Sequence, residues 1–261
     1  MKAQRKGAAL KFKLGFSGLR WQTPDLDEIL GQLKETGWDG WEIRQSLDWL
    51  GSASRVRAIS DRAGVQVAVV TGGGISLDGD HEMKERNKRR IDFAADVEAD
   101  TFMFMGAGRP YGRSSTPDDI RALADLSDEF ADYASQYDLD VCYHIHTSTT
   151  VDSREEWELL MRLMKRAQLC IDVSHSAFWH YDPAQSIRDF RDRLVYVHLQ
   201  DYKDYRFVEL GDGGLLDFGA AMKALEEIGY DRWVTVCPSQ SDLPDLEKMK
   251  RERAYMHKLG Y

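Results

Sequence analysis

At 261 residues and 43% hydrophobic content, the chain can build one large domain or two small ones. Its net charge of −9, from 35 basic against 44 acidic residues, is spread along the chain and argues against a nucleic-acid backbone as the main ligand. It contains no run of about 18 apolar residues, so no membrane-spanning helix is expected.

Residues 1–11 are basic and lack an apolar h-region, so a flexible tail is expected there rather than a secretory signal, with one domain over 12–261. Short β-branched or aromatic runs then alternate with amphipathic stretches at helical spacing. The first strand is read at Phe12–Ser17. A helix follows the start signal Thr23-Pro24-Asp25, with Leu26, Ile29, Leu30 and Leu33 on one face and Gly37 as its end. The second strand is Gly40–Ile43 and the third Val65–Val70, after a helix stopped by Gly64. Gly72-Gly73-Gly74 reads as a flexible active-site loop, with a phosphate cradle as the alternative. A charged helix from His81 leads to strand four, Thr101–Met105. A helix from Pro117 leads to strand five, within Val141–Thr147. Strand six is Leu169–Val173, strand seven Leu194–Leu199 and strand eight Trp233–Cys237, with helices near 154–166, after Pro183, near 218–228 and from Asp245. Eight strand-helix units with short connections predict a single (β/α)8 TIM barrel. A doubly wound sheet is disfavoured because no G-x-G-x-x-G follows the first strand.

In such a barrel the chemistry sits at the C-terminal strand ends. There the sequence places Glu42, His144 with His146, Asp172 with Ser174 and His175, His198 with Asp201, and Cys237. No packing rule concentrates imidazoles and carboxylates at one end of several strands, so a convergent site is expected. As alternating residues of a strand, His144 and His146 would share a face. Carboxylate plus imidazole suits one divalent ion, with Mn, Zn, Mg and Co all open. His144, Asp172 and His198 would hold it from three neighbouring strands and leave positions for two substrate oxygens. Trp21 and Trp179 could stack on the apolar face of a sugar, and Arg44 could meet a phosphate or carboxylate. The three cysteines each lie in an apolar run, and an odd number without framework spacing suits a reducing, cytoplasmic setting.

Five segments stand in an order that resembles the sugar phosphate isomerase/epimerase family, the xylose-isomerase-like barrels, and within it the inosose-dehydratase-like branch. They are Gly-Trp-Asp-Gly-Trp-Glu-Ile (37–43), Tyr-His-Ile-His-Thr (143–147), Ile-Asp-Val-Ser-His (171–175), Val-His-Leu-Gln-Asp (197–201) and Glu-Leu-Gly-Asp-Gly-Gly-Leu-Leu-Asp-Phe (209–218). The resemblance covers nearly the whole chain. It implies one divalent ion at the barrel mouth and proton removal next to a carbonyl of a sugar, keto-sugar or cyclitol. It matches Asp172 and His198 to metal ligands, His175 to a substrate contact and Glu42 to an acid near the substrate. His144 stands where many relatives have a metal-binding glutamate.

Cys237 is the departure, standing where relatives have a glutamate that binds metal and often acts as acid or base. A thiolate, a water or nothing would then complete the set. The two-base pair of epimerases is missing, which shifts weight toward elimination, with His146 as base and Glu42 or His175 as acid. Two readings stay open: a metal-dependent isomerase/epimerase or dehydratase/lyase, and a non-catalytic or partner-subunit sugar-binding barrel that has lost the metal glutamate. The expected partner is a small carbohydrate or cyclitol, with no nucleic acid and no membrane. The resemblance allows a homo-oligomer.

Overall fold

The computed structural model describes residues 12–204 and 206–261; the tail expected over 1–11 lies outside them. Eight parallel strands close into a barrel in the order β1-β10-β7-β6-β5-β4-β3-β2. They are β1 (Lys13–Ser17), β2 (Gly40–Ile43), β3 (Gln66–Thr71), β4 (Thr101–Met105), β5 (Asp140–His144), β6 (Gln168–Asp172), β7 (Leu194–Leu199) and β10 (Trp233–Val236). A small antiparallel hairpin, β8 (Asp201–Lys203) with β9 (Arg206–Val208), rises from the end of β7. The helices are α1 (Leu26–Thr36), α2 (Leu47–Leu50), α3 (Ala53–Ala63), α4 (His81–Asp96), α5 (Pro117–Ala134), α6 (Arg154–Leu163), α7 (Val173–Phe178), α8 (Pro183–Asp189), α9 (Phe218–Glu227) and α10 (Asp245–Lys258). None in the described residues is long and apolar enough to cross a membrane.

Local chemistry sets the boundaries. Asp25 accepts from the Glu28 amide and starts α1, and Gly37 ends it in the left-handed conformation. Leu26, Ile29, Leu30 and Leu33 are all buried, each contributing about 1.5–3 kcal/mol of transfer free energy. These outward contacts belong to the large shell core between strands and helices.

The barrel interior is a separate core that includes Val69, Met103, Cys142, Cys170, Tyr196 and Trp233. Gly40 makes room for it, because a Cβ there would run into the Trp233 ring. Side chains alternate along a strand, so the residues two positions further on also point inward. Cys142 is followed by His144, Cys170 by Asp172, Tyr196 by His198 and Gly40 by Glu42. An apolar layer thus underlies a polar one at the C-terminal end.

Several elements depart from the sequence reading, the short helix α2 among them. β5 stops at His144, so His146 lies in the loop beyond it and does not owe its direction to the strand pleat. α7 begins directly at the end of β6, with Asp172 as its N-cap, too short to show a period. The β8–β9 hairpin was hidden because its strands are three residues each. The Gly72 loop is packed rather than loose: a Cβ on Gly72 would crowd Phe102 and Asn87, and Asn87 accepts from the Gly73 amide at 2.9 Å.

Glu252 of α10 accepts from the Leu210 amide at 3.0 Å, while its other oxygen is buried without a partner. Burial raises its pKa to about 8, against the Leu210 hydrogen bond. Folding therefore favours the protonated acid, and the stability it contributes is lost as pH rises from about 4.5 toward 8. Glu252→Gln is expected to be neutral near pH 5 and stabilising at pH 8, on the order of a few kcal/mol, in denaturant melts at both values. Parallel curves for the two proteins would refute this.

Candidate active site

The polar layer is built around Glu42, which is fully buried. Its Oε1 accepts from Ser17 Oγ at 2.8 Å and from Arg44 Nε, and its Oε2 lies 2.6 Å from His198 Nε2. Register makes this possible: Ser17 pairs with Glu42 across β1–β2, and Asp172 with His198 across β6–β7. Burial alone would raise the Glu42 pKa; Arg44 and His198 outweigh it and hold the carboxyl below its usual range. Since the carboxylate can only accept, His198 donates from Nε2 and its Nδ1 is left free.

That free nitrogen has company. His198 Nδ1 and both ring nitrogens of His144 are buried without any hydrogen-bond partner. Asp172 Oδ2 stands 3.7 Å from His144 Nε2 and 3.9 Å from His198 Nδ1. Its Oδ1 is fixed by Ser174, from the amide at 2.9 Å and the hydroxyl at 2.6 Å. Asp172, His198 and Cys237 place one donor atom each within 4.8 Å of one another, and so do His144, Cys170 and His198. Burial would raise Asp172, but His175, His144 and His198 together lower it, keeping the carboxylate ionised. Burial drives His144 well below the usual histidine pKa, which leaves the neutral ring that binds metals. His198 is the opposite: burial disfavours its charge, yet Cys237 and Glu42 raise it well above the usual value, so Nδ1 also carries a proton that an incoming ion would have to displace. A cluster of inward donors lacking partners fits a metal ion, which would satisfy them together.

His146 and His175 face each other above this cluster, with ring centroids 4.0 Å apart. His146 Nδ1 lies 2.7 Å from the Thr147 carbonyl, which can only accept, so the proton is on Nδ1 and Nε2 carries the lone pair. The Thr147 amide donates to His175 Nδ1 at 3.3 Å, which puts that ring's proton on Nε2. Burial lowers His175 to about 4, so it is a neutral ring at pH 7.

Other predicted site residues go elsewhere. Asp201 is buried, and its carboxylate accepts from the amides of Tyr202, Gly211 and Gly213 at 2.8, 2.9 and 3.0 Å. It ties the 209–214 loop instead of reaching the mouth, and Gly213 is required there because a Cβ would strike its carboxylate. Trp21 stacks on Trp41, the outward neighbour of Glu42, and so joins the shell side. Trp179 donates to Asp152 at 3.3 Å and packs near Trp157 of α6. The rings that do flank His175 are Phe178 and Phe207, at 6.0 and 6.1 Å. Phe207 was missed because it arrives on the hairpin, and Cys170 because a cysteine in an apolar strand reads as core. Arg44 reaches the cluster through Glu42, and its terminal nitrogens have no hydrogen-bond partner among the described residues.

Comparison with known proteins agrees with this architecture. The family described as xylose isomerase-like TIM barrel matches residues 28–259. An inosose dehydratase of Geobacillus kaustophilus is 23% identical over 86% of each chain. Among solved structures, the Escherichia coli 3-keto-D-glucoside 4-epimerase superposes with a TM-score of 0.77 at 21% identity, over 96% of this chain and 99% of its own. The IolI protein with a zinc atom gives 0.79 at 18% identity, over 95% and 97%.

Asp201→Ala is expected to strip hydrogen-exchange protection from the Gly211 and Gly213 amides and to cost about 1–3 kcal/mol of stability. Unchanged protection at both amides would overturn the loop-tying role.

Proposed function

The chain belongs to the xylose isomerase-like TIM barrel family, and from that premise we propose that it is a divalent-metal-dependent enzyme acting on a sugar, keto-sugar or cyclitol by removing a proton next to a carbonyl. The observation that carries this reading is the set of unpartnered, buried donors around Asp172 Oδ2. His144, Asp172, His198 and Cys237 would hold the ion, with Mn, Zn, Mg or Co as candidates. When bound, the ion supplies Lewis acidity toward a carbonyl and its adjacent hydroxyl. The zinc of the IolI structure and the inosose dehydratase relatives support the metal and the substrate class.

The protein's own groups divide the remaining work. His146, whose Nε2 lone pair is fixed by the Thr147 carbonyl, takes the proton. His175, neutral and protonated on Nε2, donates to a substrate oxygen. Glu42 does not act as the acid, because Arg44, His198 and Ser17 all favour its ionised form; it orients His198 instead. The free end of Arg44 is suited to a polar or anionic substrate group. With Cys237 in place of a second carboxylate, one base remains, which favours elimination over two-base epimerisation: the proton His146 takes can be returned to the departing hydroxyl, which leaves as water.

Asp172→Asn is expected to lower metal affinity by more than about a hundredfold and to abolish α-proton exchange of an inosose or keto-sugar in deuterated water. The fold should persist, because the Asn oxygen still accepts from Ser174. Metal content unchanged by elemental analysis would sink the assignment. A wild-type protein that takes up no ion and gains no melting temperature with Mn or Zn would instead support a sugar-binding barrel.

A further inference from the structure

Three buried imidazole nitrogens, two on His144 and one on His198, lack partners. An ion beside Asp172 and Cys237 is one way to use them. His144 is 2% exposed and His198 0% exposed, so bulk water does not supply the partners. Leaving such a group unsatisfied is costly, and it asks what else the two rings face.

They face Cys170. It pairs in register with His144 across β5–β6 and lies in the layer just beneath Asp172. Its sulfur, one His144 nitrogen and one His198 nitrogen all lie within 4.8 Å of one another. Cys170 is wholly buried in the interior core beside Met103, Cys142 and Tyr196. An ion held there would have two nitrogens and a sulfur, no carboxylate, and apolar walls.

We propose that Cys170, His144 and His198 form a second, deeper seat for a thiophilic ion such as Zn2+ or Cd2+, exclusive of the seat at Asp172 and Cys237 because both draw on His198. The inference rests on the metal reading given above and adds a regulation to it. The mixed seat, with its carboxylate at the mouth, suits borderline ions and leaves room for substrate oxygens. The deeper seat has nitrogen and sulfur donors only, and the core around it admits no substrate. An ion lodged there would occupy His198 and His144 without serving the reaction, so soft ions would act as inhibitors. When the metal–sulfur bond forms, the Cys170 proton leaves to solvent, and only an ion with strong sulfur affinity drives that exchange.

The test uses Cd2+ and the full-length Cys237→Ser variant stripped of metal. Removing Cys237 leaves Cys142 and Cys170 as the remaining thiols. Titration is expected to develop a thiolate-to-cadmium absorption band in the ultraviolet at stoichiometric ion. The band should survive in C237S/C142S and vanish in C237S/C170S. Cadmium nuclear magnetic resonance of C237S itself asks the same question with Cys170 untouched, so a C170S variant that fails to fold does not block the answer. There, sulfur ligation is expected to move the resonance downfield of nitrogen–oxygen sites. Cadmium bound to C237S without a band and without that shift overturns the deeper seat. So does a band that persists without Cys170, or a C237S protein that binds no cadmium while wild type still binds Zn or Mn. If wild type binds none of these ions, the metal reading falls as well, and the two failures are told apart.

Discussion

The contact on which the upper barrel depends is the 2.6 Å hydrogen bond between His198 and Glu42, buried at 0% exposure on both sides. A charge taken this far from water costs several kcal/mol unless its lone pairs are used, and Glu42 uses them on Ser17, Arg44 and His198. The arrangement fixes more than one ring. By accepting from His198 Nε2, it leaves Nδ1 turned toward Asp172. By accepting from Arg44 Nε, it anchors a guanidinium at the mouth while leaving its terminal nitrogens available. One carboxylate on β2 thereby sets the tautomer of β7 and the position of a cation.

The strand pleat turns that local geometry into a layered interior. Beneath His144, Asp172 and His198 lie Cys142, Cys170 and Tyr196, so these polar groups sit on a dry floor. Tyr196 and Thr235 bond each other at 2.6 Å within that floor, which spends their hydroxyls internally and keeps the layer free of unpaired oxygen. A low-dielectric floor strengthens the fields among Glu42, Asp172 and the imidazoles above it. It also explains why those groups depart so far from their ordinary protonation behaviour.

Much of this was legible in the residues. The alternation of strand and helix gave the closed barrel, because period and turn chemistry are local properties. β2 and β4 fall where the pattern placed them, at Gly40–Ile43 and Thr101–Met105. The inward set of His144, Asp172, His198 and Glu42 followed from strand ends alone. What was not legible depends on contacts distant in sequence. Asp201 looked like a mouth carboxylate until three backbone amides from its own hairpin and loop claimed it. Trp21 looked like a sugar platform until Trp41, facing outward, captured its ring. Nor does a sequence show that Ser17, Arg44 and His198 converge on Glu42.

The two upper histidines show how little machinery one backbone residue needs in order to set a proton's direction. Thr147 offers its carbonyl to His146 and its amide to His175, so adjacent rings 4.0 Å apart are forced into opposite tautomers. One ring then presents a lone pair and the other a proton to the same space. On the proposed function this asymmetry bears directly on Cys237. Epimerisation needs comparable bases on both faces of the reacting carbon, and the strand that would carry the second one ends in a thiol buried at 3% exposure. On the same proposal, elimination runs with the single base His146, whose acquired proton can return to the departing hydroxyl as water, while the Nε2–H of His175 hydrogen-bonds a substrate oxygen. On the proposed function, the thiol at 237 and the tautomers at 146 and 175 support the same reaction class.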